Sequence, residues 1–406
     1  MSIIVQKYGG TSVGTTERIQ NVARRVLATQ KQGKKVVAIV SAMAGVTDNL
    51  LKLAADVSDS PTEREMDVLL STGEQTTIAL LAMAINAMGG KAMSLTGAQA
   101  GLRTDGIHTK ARIVNISPSE VHRLLDDGNI VIIAGFQGQN AIGDITTLGR
   151  GGSDLSAIAM ASAIGAEVCQ ILTDVDGVYT CDPRIVPNAK KIDEISYDEM
   201  LEMASSGSKV MQSRAVEFAK KFGVVFEVRS SLNENPGTIV KEEHSNMESV
   251  VVRGVSVEKK QAKITVNNVP DQPGFAARVF QSLADAGIII DTIVQNTSET
   301  GVTDISFTLA ESELKKGLET LQASIDSMGA GVQLNSEKDV AKVSLVGIGM
   351  RSHSGIAARM FRALADAGIN IRMISTSEIR TTVIVDQENI DHAARACHDA
   401  FDLGEA

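Results

Sequence analysis

Two short glycine-rich segments, about 140 residues apart, combine residue types that can hold a phosphoryl group. The first is Lys7-Tyr8-Gly9-Gly10-Thr11-Ser12, and the second is Gly149-Arg150-Gly151-Gly152-Ser153-Asp154. Paired glycines let backbone N–H groups approach a phosphate, and a helix that follows adds the positive end of its dipole. Lys7 adds a full positive charge. One glycine pair is usually an ordinary turn, but two such segments predict a cleft with a phosphoryl group between them.

The elements around these segments predict an α/β fold over residues 1–245. Apolar, β-branched runs of strand length lie at Ile3–Lys7, Lys35–Ser41, Ala92–Thr96, Ile130–Phe136, Val168–Thr173 and Val224–Arg229. Helical patterns separate them, at Glu17–Gln32, Val46–Ser58, Glu63–Met88, Ser117–Asp127, Asp154–Ile164, Tyr197–Ser205 and Ser213–Phe222. This alternation indicates an open, mostly parallel sheet sandwiched by helices. Ligands of such sheets bind at the carboxyl ends of the strands, where both glycine segments fall.

A duplicated segment follows the polar stretch Lys241–Asn246, which we take as the main domain boundary. Gly274–Ile288 and Gly355–Ile369 are identical at 11 of 15 positions, with a constant offset of 81 residues. Such identity marks the duplication of one supersecondary unit. Each copy reads strand, helix, strand, strand, helix, which predicts two small α+β modules.

The second copy lacks a last strand, whereas the apolar run Val250–Val257 has no partner. We therefore expect the first module, residues 262–340, to be inserted in the second, which comprises residues 249–261 plus 341–406. The alternative is that Val250–Val257 belongs to the linker that follows the first domain.

Composition limits the class of protein. The net charge of −10 argues against a surface for nucleic acid or for an anionic membrane. The longest apolar stretch, Ile78–Met88, is too short to span a bilayer, and the N-terminus reads as a first strand without a leader. Three cysteines without metal or disulfide spacing and six scattered histidines predict neither a histidine-based metal site nor a disulfide framework. We expect a cytoplasmic protein.

Seven sequence blocks resemble the aspartokinases, a branch of the amino-acid kinase family. In chain order they are KYGGTSVG (Lys7–Gly14), VSAMAGVTD (Val40–Asp48), STGEQ (Ser71–Gln75), GFQG (Gly135–Gly138), TTLGRGGSD (Thr146–Asp154), TDVDGVYTCDPR (Thr173–Arg184) and GSKVMQSRA (Gly207–Ala215). The duplicated region resembles a tandem of ferredoxin-like ACT modules, which bind amino acids. The resemblance covers nearly the whole chain. It implies an amino-acid kinase fold that phosphorylates the side chain of L-aspartate with ATP, the first step toward lysine, threonine and methionine.

The resemblance also assigns roles to residues of the first domain. Lys7 is the candidate for stabilising the transferred phosphoryl group, and Asp154 for orienting Lys7 or engaging the phosphate-bound Mg²⁺, with a plain helix cap as the alternative for Asp154. Arg150 and Glu74 are the candidates for the substrate's α-carboxylate and ammonium group. The implied nucleotide-binding residues are Lys7, Gly9, Gly10, Ser41, Thr173, Asp174, Tyr179, Arg184 and Lys209. The implied substrate-binding residues are Thr47, Glu74, Arg150, Gly151, Gly152 and Ser153.

The duplicated modules predict regulation by a small amino acid. A helix N-terminus can hold a carboxylate, and a nearby aspartate an ammonium group. The candidate effector residues are Asp271, Gly274, Asp291, Gln295, Asn370, Ile371, Thr376 and Ser377, which resemble aspartokinase sites for lysine and threonine. We expect inhibition by one or both, a homo-oligomer formed through the exposed edge strands of the modules, and a potential regulatory subunit started at Met247.

Two alternative functions remain open on the sequence alone. The first is a different amino-acid kinase reaction, on N-acetylglutamate, glutamate or uridylate. Glu74 argues against an N-acylated substrate, because such a substrate offers no cation. The second is a catalytically silent amino-acid sensor, which would have no need to keep Lys7, Glu74, Arg150 and Asp154 together.

Overall fold

The computed structural model describes residues 1–208, 210–242, 251–296, 301–325, 331–350, 353 and 355–404, and they form two units. The first unit contains Met1–Val178, Lys191–Ser205 and the described residues of 210–242. The second contains Tyr179–Lys190, Ser206–Ser208 and the described residues from 251 onward. The predicted domain 1–245 therefore includes two stretches, 179–190 and 206–208, that pack with the second unit.

The first unit has twelve strands in two sheets. They are β1 (Ile3–Tyr8), β2 (Lys35–Val40), β3 (Ala92–Leu95), β4 (Leu102–Thr104), β5 (Ile113–Ile116), β6 (Ile130–Ala134), β7 (Gln137–Gln139), β8 (Ile145–Thr147), β9 (Val168–Thr173), β10 (Glu194–Ser196), β11 (Phe226–Ser230) and β12 (Thr238–Lys241). The larger sheet has the order β10-β12-β11-β9-β1-β2-β6-β3 and is parallel from β11 to β3. This architecture confirms the predicted α/β fold.

The strand order reverses at β1, which lies between β2 and β9. Strands β1, β2 and β6 are buried along nearly their whole length because helices cover both faces of the sheet, which is why β6 and the part of β2 after Lys35 are apolar throughout. The reversal opens a crevice at the carboxyl ends of β1 and its neighbours. The helices of this unit are α1 (Thr16–Lys31), α2 (Val46–Val57), α3 (Glu63–Ala87), α4 (Ser119–Asp126), α5 (Gly152–Ala163), α6 (Tyr197–Ser205) and α7 (Ser213–Phe222).

Helix α3 is the longest helix of the described chain. In length and composition it alone among the described helices could cross a membrane, but half of its most apolar window is buried inside the protein. Its residues Ile78, Leu81 and Ile85 pack in the core of the first unit. The helix also buries two carboxylates, Asp67 and Glu74, which accept hydrogen bonds from the protein. We interpret α3 as a core helix.

A second, four-stranded sheet of the first unit has the order β5-β4-β7-β8 and was not predicted. Each of its strands contains only three or four residues, too few to show a periodicity of two. Its last strand, β8, leads into Leu148 and the second glycine segment.

The second unit contains one six-stranded sheet with the order β14-β15-β13-β16-β18-β17. Its strands are β13 (Gly254–Pro270), β14 (Ile293–Gln295), β15 (Val302–Ala310), β16 (Gln333–Val346), β17 (Met373–Thr376) and β18 (Arg380–Asp386). Its helices are α8 (Phe275–Asp285), α9 (Leu314–Ile325), α10 (Ile356–Asp366) and α11 (Ile390–Ala400).

The long strands β13 and β16 each serve both modules. Gly254–Glu258 of β13 pairs with Lys342–Val346 of β16, which in turn pairs with β18. After an irregularity at Glu258–Gln261, the rest of β13 pairs with β15 and with the first half of β16. The second module thus takes its edge strand from the chain that precedes the first module, which is the pairing that an inserted first module requires.

Residues 179–190 are part of the core of the second module. Cys181, Val186 and Ala189 share a buried cluster with side chains of β16, β18 and α11. The Thr180 hydroxyl lies 3.0 Å from Nε2 of the buried His398 and donates to the Leu403 carbonyl. The stretch is therefore held by both apolar packing and hydrogen bonds.

Candidate active site

Lys7 and Asp154 form a mostly buried ion pair at the crevice of the larger sheet. Lys7 lies near the end of β1 and Asp154 in the first turn of α5, with 2.6 Å between Nζ and Oδ1. Only 11% of each side chain is exposed. The pairing fixes the ammonium group over the first glycine segment, since Nζ lies 3.7 Å from the position that a Cβ on Gly9 would occupy. The two candidate catalytic residues are thus brought together.

The first glycine segment is packed too closely for side chains. A Cβ on Gly10 would approach the Ala42 carbonyl oxygen to 2.9 Å. The Ala44 N–H donates to the Gly10 carbonyl, and the Ser41 N–H to the Tyr8 carbonyl. These bonds join the segment after β1 to the segment after β2. A backbone cradle without side chains results, of the kind that accommodates phosphate oxygens.

Glu74 projects from α3 toward the same edge of the sheet. Its Oε1 accepts the Ala42 N–H at 3.0 Å, and its buried Oε2 has no hydrogen-bond partner in the described chain. Gly73 permits this approach, because a Cβ there would come within 2.8 Å of the Ala42 side chain. Burial raises the pKa of Glu74 from 4.5 to about 7, against the opposing effect of the Ala42 N–H. Among the described residues, the carboxylate therefore has no cationic partner that would offset its burial.

The second glycine segment forms the start of α5. Gly151 has a φ of +68°, which disfavours residues with a side chain, and its carbonyl accepts the Asp154 N–H at 3.0 Å. A Cβ on Gly152 would lie 2.8 Å from that of Leu148, so the turn is tight. Ser153 is buried, whereas the Arg150 side chain is exposed to solvent. Thr47 lies in the first turn of α2 and is half-buried.

The implied nucleotide-binding residues fall into two groups. Thr173 ends β9 next to β1, its hydroxyl donates to Asp174, and its carbonyl accepts the Ser231 N–H at 2.7 Å. Tyr179 and Arg184 instead belong to the second unit. Tyr179 packs on the core of the second module, and Arg184 is exposed and pairs with Asp182 at 2.7 Å. Lys209 lies outside the described residues, and the nucleotide roles of all these residues remain predictions.

Comparison with known protein sequences identifies the family of this chain. The sequence profile of the amino acid kinase family matches residues 2–229, and that of the ACT domain matches 264–325 and 343–401. The chain is 50% identical over 409 aligned residues to an aspartokinase of Corynebacterium efficiens, covering 100% of this chain and 97% of that protein. The chain belongs to the aspartokinase family.

Solved aspartokinase structures share the fold. The structure of E. coli aspartokinase III with aspartate and ADP, described as the R-state, matches with a TM-score of 0.83 and 26% identity over 98% of this chain and 99% of that one. The structure of the same enzyme with lysine and aspartate, described as the T-state, has a TM-score of 0.77 at 26% identity and the same coverage. The predicted resemblance to the aspartokinases is thereby confirmed.

Three further residues hold the second glycine segment and the two residues before it. The sequence analysis did not identify them. Arg214 of α7 donates to the Leu148 carbonyl at 2.8 Å, and Gln212 donates to the Arg150 carbonyl. Asp67 of α3 accepts the Thr147 hydroxyl at 2.5 Å. Asp67 precedes Glu74 by seven residues, or two helical turns. This spacing, which places both carboxylates on one face of α3, was the one feature of the sequence that pointed to Asp67.

The candidate effector residues of the aspartokinase lie at equivalent places in its two modules. Gly274 and Gly355 precede α8 and α10 with φ values of +92° and +99°, so both helices start in the same way. Asp291 forms an ion pair with the buried Lys342. The remaining candidates lie at the exposed ends of strands and helices, except for the half-buried Ile371; they are Asp271, Gln295, Asn370, Thr376 and Ser377.

Proposed function

We propose that this chain transfers the γ-phosphoryl group of ATP to the side-chain carboxylate of L-aspartate, giving 4-phospho-L-aspartate and ADP. The observation that carries the proposal is the grouping of Lys7, Asp154 and Glu74 at one edge of the sheet. It combines a held cation for phosphate with a buried carboxylate that has no cationic partner among the described residues. An amino-acid substrate supplies that cation through its ammonium group. E. coli aspartokinase III, which shares the fold, was solved with aspartate and ADP.

The chemistry needs no general base. The aspartate side chain has a reference pKa of about 3.9, so the nucleophile is ionised at neutral pH. The obstacle is the repulsion between this carboxylate and the polyanionic triphosphate, and catalysis consists of positioning and charge stabilisation. Lys7 faces the transferred phosphoryl group, and Asp154 keeps the ammonium group in place. Gly9 and Gly10 admit the phosphates, and Ser41, Thr173 and Asp174 surround the nucleotide.

Mg²⁺ would be held mainly by the phosphates of the bound nucleotide. When bound, Mg²⁺ supplies further neutralisation of the phosphate oxygens. Asp154 is the carboxylate next to this position, because its pairing with Lys7 places it beside the glycine segment.

The substrate's α-carbon substituents are recognised on the other side of the nucleophile. Glu74 binds the ammonium group through Oε2, and Arg150 binds the α-carboxylate with its planar guanidinium group. Thr47, Ser153 and the N-terminus of α5 after Gly151 and Gly152 add hydroxyl and N–H donors. The side-chain carboxylate then points toward Lys7. N-acylated substrates fit less well, because they leave the buried Glu74 without a cation.

A coupled assay of ADP formation tests this function. We expect turnover with L-aspartate that exceeds turnover with L-glutamate, N-acetyl-L-glutamate and UMP by at least about a hundredfold, because only aspartate satisfies Glu74 at the right chain length. Turnover with N-acetylglutamate alone would overturn the proposal. So would binding of aspartate, seen by calorimetry, without any ADP formation, since that result identifies a sensor.

We propose, in addition, that lysine, threonine or both inhibit the enzyme through the ACT modules. An effector carboxylate fits the N-terminus of α8 after Gly274, and Asp271 offers a partner for its ammonium group. Lys342 already neutralises Asp291, which leaves the exposed Asp271 as the better anion. Gln295 and Thr376 at the ends of β14 and β17, with Asn370, Ile371 and Ser377, contact the effector side chain. E. coli aspartokinase III was solved with bound lysine.

Substitutions at the candidate effector site are expected to relieve inhibition by lysine and threonine. Millimolar lysine plus threonine should lower the wild-type rate, and Asp271→Ala should raise the half-inhibitory concentration about tenfold or more, since it removes a charge-assisted bond. Gln295→Ala and Thr376→Ile should act in the same direction, and uninhibited kcat should stay within about twofold because inhibition depends on differential binding. Asp285→Ala, at the far end of α8, is the matched control. A wild-type rate unchanged by both amino acids, with no binding in calorimetry, contradicts the regulatory role.

We propose that the protein is a cytoplasmic homo-oligomer assembled through its modules. The outer strands of the second unit's sheet are β14 and β17, and they expose Ile293 and Ile374. Unpaired strand edges of this kind are frequently covered by a second copy. Met247, the potential start of a regulatory subunit, lies outside the described residues.

A further inference from the structure

Asp67 is a completely buried carboxylate that the mechanism above does not use. It lies in the second turn of α3, and none of its surface is exposed. A buried carboxylate is costly unless hydrogen bonds or charges compensate for its lost hydration. The hydrogen-bond partners of Asp67 therefore show which parts of the protein this buried carboxylate holds in place.

Three groups surround the carboxylate of Asp67: a side-chain hydroxyl, a backbone N–H and an imidazole nitrogen. The Thr147 hydroxyl donates to Oδ1 at 2.5 Å, and the Thr109 N–H lies 3.1 Å from both oxygens. Nδ1 of His108 lies 2.7 Å from Oδ2. Asp67 thus binds two separate segments, one at the end of β8 and the other in the connection between β4 and β5.

Both segments support the second glycine segment. Thr147 precedes Leu148 and Gly149 directly, and its carbonyl accepts the Ala111 N–H at 2.9 Å. Thr109 has a φ of +62°, an unfavourable conformation for a β-branched residue, and its carbonyl lies 3.3 Å from a Cβ position on Gly149. The bond from its N–H to Asp67 holds this conformation. Asp67 therefore fixes the residues from which Arg150 extends.

Helix α3 connects Asp67 to Glu74, the residue proposed to bind the substrate's ammonium group. Asp67 and Glu74 are seven residues apart, which places them on the same face of the helix at a separation of about 10 Å along its axis. A helix is rigid over two turns. It thereby sets the distance between Glu74 and the segment that carries Arg150.

We propose that Asp67 is a positioning residue for aspartate: it holds Thr147 and Thr109 so that Arg150 reaches the substrate's α-carboxylate at a fixed distance from Glu74. This inference rests on the proposed function. It adds a positioning role to the second turn of α3, which lies two turns before Glu74.

The test is the variant Asp67→Asn, which keeps the shape of the side chain but loses an acceptor. We expect the KM for aspartate to rise roughly 10- to 100-fold, as for a displaced binding group, with the KM for ATP within about twofold. Thr147→Val removes one donor and leaves the other two donors to Asp67, the Thr109 N–H and His108, so it should give a smaller rise of the same kind. Thr77→Val, a buried polar site of α3 without a bond to these segments, is the control for loss of stability.

Coupling to Arg150 separates positioning from a purely structural role. In an Arg150→Ala background, Asp67→Asn should raise the KM for aspartate by less than about threefold, because the group that it positions is absent. The same loss of effect is expected with aspartate α-amide as substrate. Additive effects, or equal losses for aspartate and ATP, overturn the inference. If Asp67→Asn does not fold, Thr147→Val in the same two tests decides. An inactive wild-type enzyme would instead overturn the proposed function.

Discussion

The variant Lys7→Ala is expected to retain its fold and to lose about a thousandfold in kcat, as when a preorganised donor to a transition-state oxygen is removed. The ammonium group lies over Gly9, next to the proposed position of the transferred phosphoryl group. The substitution also leaves Asp154 as a buried carboxylate without its Lys7 partner, next to the proposed position of the phosphates. Both effects oppose the reaction. Steady-state kinetics at saturating aspartate and MgATP measure the loss.

Lys35 provides a matched control for this experiment. It begins β2, the strand next to β1, and pairs with Asp126 at 2.6 Å at the amino end of the sheet. Lys35→Ala thus breaks a lysine–aspartate pair at the opposite edge from the site. Its kcat should remain within about twofold of wild type, since partly exposed ion pairs contribute little. A Lys7→Ala enzyme with a kcat within fivefold of this control would exclude Lys7 from phosphoryl transfer.

The parts of the candidate site that sequence patterns predicted are those fixed by local chemistry. Lys7 and Asp154 stand beside glycine pairs at the ends of predicted elements. In a parallel sheet the carboxyl ends of strands share one edge, so two such segments converge although they are far apart in sequence. The long strands and helices were predictable for the same reason, since each is long enough to show its periodicity.

The contacts of Asp67 depend on structure that has no such local signal. They are made to the small sheet of β4, β5, β7 and β8, whose strands are too short to show a pattern. A single aspartate in a helix is usually a solvent-facing residue, and the tertiary contacts to Thr147, Thr109 and His108 distinguish Asp67 from that usual case. Long-range hydrogen bonds of this type cannot be derived from spacing alone.

The sequence also could not predict that residues 179–190 pack with the second unit. Cys181 and Val186 are apolar enough for either core, and the preceding strand β9 belongs to the first unit. Which core buries them is decided by complementary packing against α11 and β16. The sequence resemblance linked Tyr179 and Arg184 to nucleotide binding, which stays a prediction; in the structure Tyr179 packs on the core of the second module and Arg184 pairs with Asp182.

Glu74 gives the second large effect, the loss of aspartate binding as the pH falls. Burial raises its pKa to about 7, and in the proposed complex only the ionised form of Glu74 pairs with the substrate's ammonium group. Between pH 7.5 and 5.5 the side-chain carboxylate of aspartate stays ionised, because its reference pKa is about 3.9. The KM for aspartate, or its Kd from calorimetry, should therefore rise about tenfold for each pH unit below the pKa of Glu74. The KM for ATP, measured separately, reports any titration of the nucleotide.

The same group should make the ligand-free enzyme less stable at high pH. The folded pKa lies above the unfolded value, so the folded state holds the extra proton between pH 4.5 and about 7, and the free energy of unfolding falls as the pH rises through this window. The loss amounts to roughly 3 kcal/mol for a shift of this size. Glu74→Gln removes the buried charge but retains an acceptor for the Ala42 N–H.

The variant Glu74→Gln should thus separate stability from function. At pH 8 and without ligand we expect its melting temperature to exceed that of wild type by several degrees, and below the unfolded pKa of 4.5 the two should coincide. Aspartate binding should be weakened at least a hundredfold and should no longer depend on pH, because no charge remains to pair with the ammonium group. Thermal unfolding and calorimetry on the same samples measure both. A variant that binds aspartate with the wild-type pH profile would show that another group holds the ammonium, since a glutamine at residue 74 cannot titrate.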